Sequence, residues 1–442
     1  MRNINTVILF LLILLTVTVL AGCGGGGSSG SSENGLRTPG VLDTSSCGNG
    51  NLDAGEECDD GNNTSDDGCD SICRIESEPL SCGDGTCNFD ETCDSCGADC
   101  GSCVGTFDCL KTATEVQQVT GHYEEKFSPE VAAGKAFDAR TADFLIYQVT
   151  HGMIAIDGNS SETGMCWAGG FVSSNKQWDA SWADHKDTDT DDGPTRNSAA
   201  ISNGAYEFTV TGLHYFNVHD GVRTNNAYSW LVQHTWGEYV RDDCIENDHL
   251  RSGRVYDTLF DGCYTGISTR PSSSDTNSDG VGELVELDRV LLRMQPMPYP
   301  YKWAEKSGII GIDGEPYAGT GIPYGHGNIF KIENDDINRN PHFSIRNSVF
   351  LVTHFTTADK VDFPPEQLID ECENNTIIWL GQGDYPGTLP NSKFPNCFNL
   401  LTGEQGREYW VEKVMDWHIR HPNVGSDRKP TSPGNLEFPK IF

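Results

Sequence analysis

The chain changes its pattern of apolar and polar positions several times along its length. Val7–Leu20 is an apolar run, broken only by Thr16 and Thr18, behind Arg2. It is too short to span a bilayer comfortably, and it has the length of a signal-peptide core. From Gly24 to Ser46 apolar periodicity vanishes into Gly and Ser, the pattern of a flexible tether. Cys47–Cys103 has almost no aliphatic residues. From Val104 onward, short runs rich in aromatic and β-branched residues alternate with Asn, Asp and Gly turns. That alternation predicts many short strands. Helical periodicity arrives only in EQGREYWVEKVMDWHIRHP, where Trp410, Val414 and Trp417 share one face. Thr402 and Pro422 bracket a helix over 403–421 that caps the strand-rich domain. A sugar-binding groove is the other use such tryptophans have.

The strand-rich part carries a weak internal repeat. LHYFNVHDGVRTNN aligns with LVQHTWGEYVRDDC at an offset that superposes Leu213 on Leu231, Val222 on Val240 and Arg223 on Arg241. A looser third copy, VYDTLFDGCYTGISTRP, places Ile267 with the two valines. Repeats of about 20 residues that each hold a few strands suggest stacked coils. The fold class predicted is all-β: a right-handed parallel β-helix over 104–442, with a C-terminal helix and a small disulfide-rich N-terminal module over 47–103. A β-sandwich of tandem hairpins is the alternative, but few Asn-Gly or Asp-Gly hairpin signals separate paired runs.

Charge and cysteines bound the function. The net charge of −35 over 442 residues excludes a nucleic-acid role, because phosphates would be repelled. Leu20-Ala21-Gly22-Cys23 resembles the bacterial lipobox. The resemblance implies cleavage after residue 22, lipidation of Cys23, a tether over 23–46 and membrane association through the lipid anchor only. It implies an outer-membrane lipoprotein at the cell surface or periplasmic face. Removing Cys23 from 17 cysteines leaves 16, an even number, which reads as a disulfide framework in an exported monomer. Cys47–Cys103 holds ten of them, with fifteen acidic residues and one basic residue. CGNGNLDAGEECDDGNNTSDDGCDSIC resembles the cysteine-rich repeat of myxobacterial surface proteins. Beyond it, Cys244 and Cys263 lie on neighbouring coils, Cys372 and Cys397 bracket a loop, and Cys109 and Cys166 remain for the N-terminal edge. Connectivity is not fixed by sequence.

MCWAGG, GLHYFNVHDGVRT, VRDDCIENDH, LFDGCYTGISTRP, LRMQPMP and GHGNIFK resemble segments of exported right-handed parallel β-helix proteins of environmental bacteria. Those proteins are similar to pectate lyases and polygalacturonases. The resemblance implies a surface-anchored carbohydrate-active protein, a polysaccharide lyase or glycoside hydrolase. A non-catalytic glycan- or protein-binding module is the second reading.

Candidate chemistry follows from the repeat. If Val222, Val240 and Ile267 stack, then Arg223, Arg241, Asp242, Asp243 and Arg270 line one edge. Paired carboxylates supply the acid and base of glycoside hydrolysis, and arginines bind uronate carboxylates bidentately. Asp242, Asp243, Arg241, Arg270 and His326 are the catalytic candidates, and Arg223 and Lys331 the substrate-binding ones. A structural network of Arg–Asp pairs at the turns is the competing role. His326 stands in a Gly-His-Gly that polygalacturonases also have. Its distance from Asp243 in sequence exceeds that family's spacing, and the Arg-Ile-Lys motif has no counterpart. DTNSDGVGELVE matches a calcium loop, with Asp275, Asn277, Asp279, Val281 and Glu286 as ligands of Ca2+. Asp187, Asp189 and Asp191 form a poorer copy. Histidines 214, 219, 234 and 249 recur without coinciding in the repeat, which favours ladder or turn roles over a transition-metal site. If Asp275–Glu286 holds a tight calcium ion, EGTA lowers the melting temperature. An unchanged melting curve would exclude a tight structural site there.

Overall fold

The computed structural model describes residues 106–425 except 148–151, 159–160, 176–198, 226, 272–276, 299–323, 334, 354–357 and 382, together with Gly48, Gly61 and Asn62. The signal segment, Cys23, the tether, nearly all of Cys47–Cys103, Asp187, Asp189, Asp191 and Asp275 lie outside the described residues. By its contacts the chain divides into Met1–Cys103 and Val104–Phe442.

Parallel strand pairing builds the second unit. Glu207–Thr211, Ser229–Gln233, Ser252–Tyr256, Leu284–Asp288, His342–Arg346 and Ile369–Glu373 pair side by side in that order. Register puts Val210, Val232, Val255, Leu287, Ile345 and Cys372 in one buried row. Side chains alternate across a strand, so every second residue must be apolar if one face is buried. Each such side chain contributes about 1.5–3 kcal/mol on leaving water. A second row runs through Gly237, Phe260, Leu292, Phe350 and Ile377. Gly237 is there because a Cβ would strike the Tyr215 ring on the strand beside it. Gly253 likewise leaves room for the Trp230 indole.

The predicted β-helix, and with it the pectate-lyase-like resemblance, is corrected here. Sixteen of the described strands form one all-parallel sheet that curves through 315° into an open barrel, while Met297–Pro298 and Tyr324–Gly325 make a separate antiparallel pair. Counting every strand joined to it by hydrogen bonds, the network takes in 21. The separate faces of stacked coils are not present as separate sheets. Trp236–Glu246 and Leu259–Thr269 each run for 11 residues. Their first residues pair with one set of strands and their last with another, which welds both sets into a single sheet. A bulge between Val240 and Asp243 absorbs the bend.

The repeat register is corrected as well. Val222 pairs with Ile245, and Ile245 with Ile267, which in turn pairs with Phe330. Val240 instead stands opposite Cys263. The true spacing is therefore longer than the one that aligned Val222 with Val240. Cys244 is bonded to Cys263, Cys109 to Cys166 and Cys372 to Cys397.

The C-terminal helix spans Gly403–Arg420, with Thr402 in extended conformation at its N-cap. Trp410 and Trp417 are buried, against Leu259, Leu291, Val349, Leu351 and Ile378 of the sheet. Burial removes them from any sugar-binding groove. Trp417 Nε1 also donates to the Asp257 carbonyl at 3.0 Å, so its one polar atom is satisfied.

Trp417→Ala is expected to cost about 3–5 kcal/mol, read by urea denaturation. The double variant Cys244→Ala/Cys263→Ala should cost about 2–4 kcal/mol under oxidising conditions. Most of that difference should vanish when both proteins are compared in reductant.

Candidate functional site

The polar row beside Val222, Ile245, Ile267 and Phe330 is set by the same register. It contains Arg223, Glu246, Ser268 and Lys331, on adjacent strands. Arg241 and Arg270 are not in it. Arg241 is buried and donates from Nε to Asn217 Oδ1 at 3.4 Å. Arg270 follows the last residue of Leu259–Thr269 and is exposed. The expected row of three arginines is thus replaced by a row of mixed charge. The cause is the register, which offers Glu246 rather than Arg241 to Arg223.

Asp242 and Asp243 enter the site through the bulge. The Asp242 N–H donates to the His219 carbonyl at 2.7 Å, and the Asp243 N–H donates to Asp220 Oδ1 at 3.2 Å. These two bonds lay the pair His219–Asp220 beside the pair Asp242–Asp243. His219 Nδ1 sits 2.9 Å from Asp220 Oδ2, and its Nε2 lies 3.9 Å from Asp242 Oδ2. Arg223 bridges Asp220 and Glu246. Lys331 Nζ donates to Asp243 Oδ2 at 2.7 Å. Asp243 Oδ1 is buried with no hydrogen-bond partner.

Charge is out of balance here. Asp220, Asp242, Asp243, Glu246 and Asp248 interact electrostatically with one another, against the cations Arg223 and Lys331. Taking a carboxylate out of water favours its neutral form, and neighbouring carboxylates add to that. Burial pushes the Asp243 carboxyl up to about 7; Lys331 opposes the rise, while Asp242 and Asp220 reinforce it. Burial also raises Glu246, with Asp220 adding to the shift and Arg223 resisting it. Asp220 goes the other way. Burial would raise it, but His219 and Arg223 outweigh that penalty and hold it well below the usual carboxylate range. Burial works against the Lys331 ammonium, yet Asp243 and Asp242 keep it above its ordinary value. The cluster therefore combines a carboxyl that keeps its proton near neutrality with one that stays ionised. Asp242, at its rim, retains some access to solvent. His219, Asp220 and Asp242 each present one donor atom, all within 4.8 Å of one another, so they form one place where a cation fits.

His326 is fully buried, with Nδ1 2.7 Å from the Gly327 carbonyl oxygen. Gly327 packs on Tyr264 and Thr265, and Thr265 is paired with Asp243. The histidine thus lies beside the strand next to Asp243, in the interior. In the expected calcium loop, Asn277 and Asp279 are exposed, and Asp279 Oδ1 accepts from the Val281 N–H at 3.0 Å. Glu286 stands on the strand Leu284–Asp288, where Arg346 reaches it at 3.4 Å. His214 pairs with Glu238 at 2.7 Å and stacks on Trp236, and His249 contacts Ser278.

Sequence reasoning gives His219 a ladder or turn role and leaves Asp220, Glu246 and Asp248 outside the candidate site. A signal was there. Asp220-Gly-Val222-Arg223 and Asp243-Cys-Ile245-Glu246 share an acidic residue two positions before the buried aliphatic. Aligning the copies on that feature yields the observed register.

No family model, no curated protein and no solved structure matches the chain.

Proposed function

We propose that the chain is an exported, lipid-anchored carbohydrate-active enzyme that hydrolyses glycosidic bonds, with Asp243 as general acid. The observation that carries this reading is the pair of opposed carboxyl environments: Asp243 pushed up to about 7 beside an Asp220 held ionised. Environments that drive neighbouring carboxyls apart are how acid and base roles are divided at one pH. In the proposed reaction Asp243 protonates the departing sugar oxygen. Asp242, touched only loosely by His219, takes the proton of the attacking water or attacks the sugar itself. Arg223, itself paired with Glu246, holds Asp220, which fixes the backbone of Asp243 through its N–H. Hydrolysis fits better than elimination, because a lyase base must be unprotonated and the nearby lysine is held as an ammonium by Asp243 and Asp242. Three disulfides support an extracytoplasmic location, and Cys23 is the proposed anchor point on the outer membrane.

A specific observation favours the non-catalytic glycan-binding reading. Tyr206 and Tyr228 stack at 4.6 Å with rings nearly parallel, Tyr228 is half exposed, and the Arg251 guanidinium lies over it. Such a ring platform suits sugar faces. Glycan binding abolished by Tyr228→Ala but kept in Asp243→Asn, with no release of reducing ends by the wild type, would establish that role instead.

The enzyme reading is tested by release of reducing ends from a broad polysaccharide panel. Asp243→Asn should lower kcat about 10²–10⁴-fold. The acid must be protonated, so wild-type activity should fall as pH rises through about 7. Lys331→Met removes the cation that opposes the rise, and should move that alkaline limb to higher pH. A limb that stays in place would remove Asp243 from the acid role. Stability gives an independent check. A carboxyl raised on folding stabilises the protein fully below its ordinary value and loses that contribution as pH climbs through about 7. Relative to wild type, Asp243→Asn should therefore be more stable at pH 8 than at pH 5.

A further inference from the structure

Away from the carboxylate cluster, the ends of five strands in one row are joined to the next strand by a residue with left-handed backbone. These residues are His234 (φ 47°), Asp257 (φ 43°), Arg289 (φ 58°), Asn347 (φ 52°) and Asn374 (φ 55°). Each donates its N–H to the carbonyl of the last residue of the neighbouring strand where that bond is formed: His234 to Tyr256, Asp257 to Asp288, Arg289 to Arg346 and Asn347 to Glu373. Asparagine tolerates this conformation well, and at two of the corners it is what the chain uses. At two adjacent corners the chain uses a histidine and an aspartate instead. Strands in a sheet lie about 4.8 Å apart, so the two side chains are brought side by side.

The C-terminal helix supplies a third group. His421, its C-cap, lies with its ring 4.8 Å from that of His234 and with Nε2 3.0 Å from Asp257 Oδ2. All three residues are more than nine-tenths buried, at 4%, 4% and 8% exposure. Each offers one donor atom within 4.8 Å of the others. His234 Nδ1, His421 Nδ1 and Asp257 Oδ1 are buried with no hydrogen-bond partner. Leaving a buried polar atom unsatisfied on each of three neighbouring residues is costly, and hydrogen-bonded water or an ion is the usual resolution. The Arg420 guanidinium contacts Asp257 Oδ2 at 2.6 Å and leaves Oδ1 available. Two imidazoles and one carboxylate form a donor set for zinc-like ions; calcium, which takes oxygen ligands, does not suit it.

We propose that His234, Asp257 and His421 bind one divalent transition-metal ion of the zinc class, which ties the C-terminal helix to the corner of the sheet. The site is structural in character: Trp417 covers it, with its ring 4.7 Å from that of His421. The ion would cross-link residues distant in sequence, and so fix the end of the helix Gly403–Arg420 to the sheet.

The test uses the full folded chain, stripped with dipicolinate and dialysed, with calcium present throughout so that any calcium loop is unaffected. Zinc is then titrated by calorimetry and by melting temperature, and cobalt(II) is added as a spectroscopic probe. The expected result is one equivalent of zinc per chain, a higher melting temperature, and cobalt absorption bands showing nitrogen ligation. His234→Ala and His421→Ala should each weaken zinc binding by more than about 100-fold, beyond what changes outside the ligand set cost. His249→Ala should bind as wild type does. Wild-type protein that takes up no stoichiometric zinc, with no shift in melting, overturns the proposal. So does zinc binding that persists in both histidine variants. The same titration on His219→Ala, which removes the other place where a cation fits, decides the matter even where a His234 or His421 variant folds poorly.

Discussion

Register between parallel strands is the constraint on which everything else in this domain rests. A strand interior to the sheet has its N–H and C=O groups satisfied only by its two neighbours, and parallel pairing lets those neighbours come from successive passes of the chain. Once Val232 is opposite Val210 and Val255, every other residue of those strands is placed. The buried rows, the small-for-large exchange of Gly253 beside Trp230, and the corners at His234 and Asp257 are consequences of that one alignment. A slip by one residue would turn each apolar side chain outward and each charge inward.

The carboxylate cluster shows the same constraint acting on charge. Arg223 meets Glu246, and Ser268 rather than a further charge stands between Glu246 and Lys331. A bulge adds Asp242 and Asp243 where a regular strand would have continued its alternation. Burial there, reinforced by the neighbouring Asp242 and Asp220, pushes the Asp243 carboxyl up. Backbone geometry thus comes first, and the altered acidity follows from it. Nothing about Asp243 taken alone distinguishes it from the many other acidic residues of the chain.

Legibility in the sequence tracked the distance over which the information is encoded. The C-terminal helix was readable because Trp410, Val414 and Trp417 declare their shared face within eight residues. Short strands after Val104 were readable for the same local reason. The fold was not. The repeat signal in LHYFNVHDGVR and LVQHTWGEYVR matched at the wrong spacing, and led to a stacked-coil β-helix with a ladder of arginines. The observed sheet is continuous and its polar row is of mixed charge. The sequence marks Lys331 as a substrate-binding candidate near a Gly-His-Gly, yet its partner Asp243 lies 88 residues earlier. No local pattern encodes a pairing across that separation.

By itself the sequence determined an acidic, cysteine-rich chain with an apolar N-terminal run, a Gly/Ser-rich stretch, a strand-rich body and a helix after it. Composition and short-range periodicity are properties of neighbouring residues, so they survive without knowledge of the fold. Tertiary structure alone decided which strands are adjacent, which carboxyl is deprived of water, and that His234, Asp257 and His421 meet. The physical reason is that burial and proximity arise only when the sheet curves round and brings distant segments together. Two corners 23 residues apart and a helix end more than 160 residues further on become neighbours through hydrogen bonds that no single segment contains.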